Sequence, residues 1–153
     1  MKINLFSKNT QNYRDPSVLS HFKQNLIYPI DSINGRPQAH ASTIIKGKNE
    51  GDKTVLYCAW FCGTREGNKD VSILFSKILY EPKPNPEDLN FEYTIPKIIA
   101  DDPQRACGNP VLFLDDKEIL HLWYAAFYAR DDPQGRRGHR KIFYKTSQDL
   151  GKS

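Results

Sequence analysis

No run in this chain approaches the ~18–20 consecutive apolar residues of a membrane-spanning helix. The amino terminus, MKINLFSKNTQNYRD, has neither an apolar core nor a small-residue cleavage site. The expectation is therefore a cytoplasmic protein with no membrane partner. Cysteine is scarce: Cys58, Cys62 and Cys107 are odd in number and lack a CxxC pair or a Cys/His zinc spacing, so neither a disulfide framework nor a metal site is indicated. Cys58 lies in an apolar run and reads as core, which suits a reducing compartment. A Lys/Arg-rich run is missing too. The 22 basic and 18 acidic residues are dispersed, and the net charge of +4 argues against nucleic acid as a partner while leaving room for a mildly anionic ligand or an ordinary solvated surface. There is no Gly-x-Ser-x-Gly, no Cys with a matched His motif and no Gly-rich phosphate loop, so no hydrolytic triad and no cofactor are expected.

A 3.6-residue apolar period is also absent, and what is present is strand after strand. Residues 1–39 are polar and turn-rich, an extended lead-in with one short apolar piece at Asn25–Ile30. Ala41–Ile45 precedes a Gly/Asn/Asp turn, and Thr54–Phe61 is then apolar at nearly every position, the pattern of a strand covered on both faces. Asp70–Ser76 follows with Val71, Ile73 and Phe75 on one face. The loop Glu81–Asp88 carries three prolines, and Phe91–Ala100 reads as a fourth strand interrupted by Pro96.

The second half repeats that order. Asn109–Leu114 is a short strand, Asp115–Lys117 a turn, Ile119–Tyr128 a long strand apolar on both faces, Ala129–His139 a polar loop and Lys141–Ser147 a third strand. Matching His40 to Asn109 gives an offset of 69 residues, longer than the ~40–50 of a compact four-stranded blade. The proline-rich insertion and an extended loop before Asn109 are expected to absorb the excess. The organisation read from this is a lead-in (1–39), a first unit (40–101) and a second (102–153), in a propeller or sandwich.

The chain closes on Ser147-Gln-Asp149-Leu-Gly151-Lys-Ser153. Ser-x-Asp-x-Gly-x-Ser resembles the Asp-box of sialidases (neuraminidases) and related BNR-repeat proteins, a hairpin in which Ser and Asp oxygens accept backbone N–H bonds and Gly takes positive φ. On that likeness Ser147, Asp149 and Gly151 are architectural. Three further segments resemble the same superfamily: His40-Ala-Ser-Thr-Ile, Ala59-Trp-Phe-Cys-Gly-Thr-Arg-Glu-Gly and Gly108-Asn-Pro-Val. The resemblance implies an all-β fold, a partial β-propeller of about two four-stranded blades out of six. Further blades would be needed to close the ring and supply the nucleophile, so two blades alone would be inactive.

It also implies an exo-glycoside hydrolase acting on a terminal sugar, anionic or neutral, with Asp70 at the position of the catalytic acid/base. His40 stands where the family has an arginine that grips the sialic-acid carboxylate, and a neutral imidazole cannot supply that bidentate clamp. The alternative is a carbohydrate-binding or scaffold propeller without catalysis. From the residues themselves, Asp70 serves either as a general acid at a strand mouth or as a strand-start Asp bonding its own turn. Arg65 and Glu66 are substrate contacts or a loop ion pair. His40, Arg105 and Asn109 are further candidate sugar contacts. The group Arg136, Arg137, His139 and Arg140 is either an anion contact or a solvated basic loop. Trp60, Trp123, Tyr124, Phe127 and Tyr128 read mainly as core.

Overall fold

The computed structural model describes residues 35–151, apart from 86, 87, 131, 135, 137 and 138. The apolar piece at Asn25–Ile30, Arg137 and Ser153 lie outside the described residues. Within them run β1 (Gln38–Lys46), β2 (Thr54–Gly63), β3 (Ser72–Tyr80), β4 (Phe91–Tyr93), β5 (Lys97–Ala100), β6 (Arg105–Leu114), β7 (Leu120–Tyr128) and β8 (Arg140–Ser147). There is no α-helix among the described residues. The fold is all-β. Two antiparallel sheets form, one of five strands in the order β1-β2-β3-β4 with β5 also on β3, the other of three in the order β6-β7-β8. This is the arrangement of a partial β-propeller, without ring closure.

The unbroken apolar run of β2 follows from its position. Val55, Tyr57, Ala59 and Phe61 point one way, into a core shared with Val71, Ile73 and Phe75 and with Leu112, Leu120, Leu122, Tyr124 and Ala126 of the second sheet. Cys58, Trp60 and Cys62 point the other way, against Leu74, Ile78, Phe91 and Tyr93. Burying each large side chain contributes about 1.5–3 kcal/mol, and β2 is the most fully buried strand among the described residues. The two sheets thus pack face to face, and the Cys107 amide donates to the Val71 carbonyl (2.8 Å) across the gap.

Phe91–Ala100 is two strands rather than one. β4 pairs with Ile78–Tyr80, and β5 with Ile73–Phe75, so both lie along the same edge of β3. Between them the chain steps aside at Thr94, whose hydroxyl accepts from the Lys77 amide (2.8 Å) and whose carbonyl accepts from Ser76 Oγ (2.8 Å). Pro96, with no N–H to give, keeps the ladder from resuming before Lys97. β6 likewise begins earlier than Asn109, at Arg105, immediately after an Asp102–Arg105 bridge.

The first strands of the two sheets share one irregularity. His40 pairs with Phe61 and Thr43 with Ala59; Gly108 pairs with Ala125 and Val111 with Trp123. In each case three residues of the first strand span two of the second, a β-bulge. Each bulge has a left-handed residue at its centre, Ala41 (φ 47°) and Asn109 (φ 50°). By this register His40 corresponds to Gly108, so the two units are offset by 68 residues rather than 69.

Candidate functional site

Strand direction brings the start of β1, the end of β2, the start of β6 and the end of β7 to one end of the molecule, where β1 and β6 lie against each other. The loop Thr64–Asp70 covers this end. It is held to the start of β1 by the Glu66 amide, which donates to Gln38 Oε1 (2.8 Å), and to the second sheet by the Arg130 amide, which donates to the Gly67 carbonyl (3.0 Å). Gly67 has φ 84°, and a Cβ there would sit 3.2 Å from the Arg130 side chain, so the crossing needs a glycine.

Asp70 closes this loop. Its Oδ2 accepts from the Thr64 amide (2.7 Å) and its Oδ1 from the Thr64 hydroxyl (2.9 Å), while Asn68 Nδ2 donates to the same hydroxyl (3.1 Å). A Gly-Thr-Arg-Glu-Gly loop can return into a strand because a carboxylate six residues on satisfies the donors of its first turn. Behind it, Ser72 Oγ accepts from Arg36 Nη1 (2.8 Å) and donates to Asp101 Oδ1 (2.9 Å), tying the preceding segment and the end of β5 to the base of the loop.

The other candidates are distributed around this end. Arg65 and Glu66 are exposed on the loop. His40 is exposed and stacks on Phe61 (ring centroids 5.4 Å). A Cβ on Gly108 would lie 3.5 Å from Phe127 and 3.7 Å from Phe61, so both rings crowd the inner strand there. Asn109 is exposed at its bulge and shares a groove of about 440 Å³ with Glu66, Trp123, Phe127 and Arg140. Glu66 and Asn109 are thus brought together from different sheets, whereas Asp70 does not line that groove.

Arg105 does not line that groove. Its Nη1 donates to Asp102 Oδ2 (2.9 Å) and its Nη2 to Tyr128 Oη (3.0 Å), and its guanidinium lies over the Tyr128 ring (4.5 Å). Arg136 lies over the same ring (3.8 Å) and pairs with Asp132 (2.7 Å), whose carboxyl it holds down at about 2. Both arginines raise their already high affinity for protons through these carboxylates.

Ser147, Asp149 and Gly151 form the terminal turn. Ser147 Oγ accepts from the Gly151 amide (2.7 Å) and donates to Asp149 Oδ1 (2.6 Å), with Leu150 (φ 58°) and Gly151 (φ 75°) both left-handed. Among the described residues no group of three or more His, Cys, Asp or Glu side chains could hold a metal ion.

Residues 53–153 match the family of BNR repeat-like domains. The chain belongs to the BNR repeat-like family. No curated protein and no solved structure matches it. The two sheets stack face to face with matched bulges, and loops of both meet at their shared end.

That shared end carries guanidinium groups, one free-standing loop carboxylate, a carboxamide and an imidazole beside an aromatic wall, a set of donors and acceptors suited to a hydroxyl-rich ligand. Sequence reading missed Gln38, Thr64 and Arg130, which position the loop, and the exposure of Trp123. Nothing flags the last: β7 is apolar on both faces, so its pattern does not distinguish the covered Leu122 and Tyr124 from the uncovered Trp123.

Proposed function

We propose that the bulged ends of β1 and β6 form part of the glycan-binding mouth of a sialidase-like propeller, with a terminal sugar, anionic or neutral, between His40, Glu66, Asn109 and Arg65. The observation that carries this reading is the pair of bulges. Left-handed Ala41 and Asn109 occupy matched positions on adjacent first strands, at the end that holds Arg65 and Glu66. Bulges and strained backbone collect where side chains must be re-aimed toward a ligand.

The test is calorimetry on the full-length gene product with N-acetylneuraminic acid and with galactose. Loss of one hydrogen bond to a charged or amide group costs about 1–2 kcal/mol, so Glu66→Gln and Asn109→Ala each weaken binding of whichever sugar binds by about tenfold. Unchanged affinity in both variants would remove the mouth from consideration.

A second reading, an exo-glycoside hydrolase, is favoured by the place of Asp70 in the loop that carries Arg65 and Glu66. There Asp70 would protonate the leaving oxygen and then take a proton from water, once Thr64 gave up one of its two bonds. Asp70→Asn would then abolish hydrolysis of aryl glycosides while leaving sugar affinity within about threefold. Equal hydrolysis by variant and parent would rule Asp70 out.

A further inference from the structure

The sequence carries one short motif twice. Asp101-Asp-Pro-Gln-Arg105 stands between β5 and β6, and Asp131-Asp-Pro-Gln-Gly-Arg136 stands between β7 and β8, 30 residues on. That spacing is not the 68-residue offset of the two sheets, so the copies do not fall at equivalent places in the two units. Proline, with φ fixed at about −65°, favours a turn after the second aspartate, whose side chain can then close it. Both copies do this. The Gln104 amide donates to Asp102 Oδ1 (2.9 Å), and the Gln134 amide acts on the Asp132 carboxylate in the same way. Each aspartate also takes the arginine that ends its motif: Arg105 Nη1 donates to Asp102 Oδ2 (2.9 Å), and Arg136 Nη2 donates to Asp132 Oδ1 (2.7 Å).

The two arginines then meet on one side chain. The guanidinium of Arg105 lies 4.5 Å from the centre of the Tyr128 ring, and that of Arg136 lies 3.8 Å from it. Two cations can share this ring because each brings its own carboxylate. Arg105 Nη2 also donates to Tyr128 Oη (3.0 Å). Beyond Tyr128 the chain turns, with the Asp132 amide donating to the Ala129 carbonyl (3.1 Å). Inside that turn the Arg130 amide donates to the Gly67 carbonyl (3.0 Å). Gly67 follows Glu66, whose own amide is tied to Gln38. A continuous line of contacts thus runs from Asp102 through Tyr128 to the loop over the shared end of the sheets.

We infer that Tyr128 is a positioning residue: gripped by Arg105 and Arg136, it fixes the turn at Ala129–Asp132 and, through the Arg130–Gly67 bond, the placement of Arg65 and Glu66. The consequence for a sugar rests on the site proposed above, whereas the hold on the loop does not. In this role Arg105 acts through Tyr128 and not on a ligand.

The experiment compares amide hydrogen exchange in the full-length gene product and in its Tyr128→Leu and Tyr128→Phe variants. Leucine removes the ring face that both guanidinium groups need, so the Arg130 and Glu66 amides should exchange at least about tenfold faster. Phenylalanine keeps that face, and the loop-side Arg136 meets the ring rather than the hydroxyl, so both amides should return to within about threefold of the parent. The Lys53 and Glu118 amides, in turns at the opposite end of the sheets, open independently of Tyr128 and should keep their rates in both variants. Unchanged exchange at Arg130 and Glu66 in Tyr128→Leu overturns the inference. So does equal acceleration in the two variants, or acceleration at Lys53 and Glu118 to the same degree, which would be a general loosening. These rates decide the matter whether or not a sugar binds, so failure of the proposed sugar site is told apart from failure of the positioning role.

Discussion

Replacing Gly151 with alanine tests the stacking of one repeat on the next at a single atom. The left-handed backbone at φ 75° costs an L-residue about 1–2 kcal/mol, and the stiffer unfolded chain returns about 0.4–1 kcal/mol of that. The added methyl would stand 2.9 Å from the edge of Phe75, and this ring has little room to retreat. It is 2% exposed, sits in the β2-β3 ladder opposite Ala59 and packs on Tyr57. Overpacking of this kind costs about 1–3 kcal/mol, which brings the net loss to about 1–5 kcal/mol. The assay is urea denaturation, reading the midpoint at constant slope. A Phe75→Leu background separates the two causes, because the shorter side chain removes the overlap and leaves only the backbone cost, so Gly151→Ala should then lose about 1 kcal/mol or less. If Gly151→Ala lies within ~0.5 kcal/mol of the parent, or costs the same in both backgrounds, the turn does not bear on Phe75 and the reasoning fails.

Three further outcomes follow from the same geometry. All three cysteines are buried, and burial aided by Asp101 and Asp102 pushes the Cys107 thiol up to about 12; Ellman's reagent should therefore find no reactive thiol in the native protein and three in denaturant. Asp132 is held at about 2 by Arg136, below its ordinary 3.8, so the Asp132–Arg136 pair is complete above about pH 4 and fades as pH falls toward 2; an NMR titration should find the Asp132 carboxyl at about 2 in the parent and raised toward its ordinary value in Arg136→Gln. Ala41→Val places a β-branched side chain in the left-handed bulge and should lose about 1–2 kcal/mol in the urea assay, whereas Ala41→Gly should lose none.

The all-β architecture was legible because alternation and the doubly apolar β2 are strong signals: every position from Thr54 to Phe61 had to be covered, and two cores on opposite faces of that strand cover it. The Pro96 interruption was legible as a weak point but not as a change of pairing, since the sidestep depends on Thr94 and Ser76, two polar residues with no distinctive spacing. The bulges were half legible. Asn109 before Pro110 is a residue type that tolerates positive φ, but Ala41 gives no warning, because its conformation is imposed by register with β2 and not by its own preference. Motif matching therefore aligned His40 with Asn109, one residue away from the pairing that the ladders adopt. At the shared end of the sheets, the resemblance nominated the candidate side chains, while the groups that hold the covering loop carried no signal. Thr64 and Gln38 act through hydrogen bonds to a carboxylate six residues away and to an amide 28 residues away, which only the closed loop brings within reach.

The most direct test of the proposed glycan-binding mouth is an amide-resolved NMR titration of the full-length protein with N-acetylneuraminic acid and, in parallel, galactose. The account predicts saturable shifts at His40, Glu66 and Asn109, on both first strands and the covering loop together, for at least one of the two sugars. Saturable binding whose shifts fall elsewhere in the molecule, or no shifts at these three amides with either sugar, would contradict it.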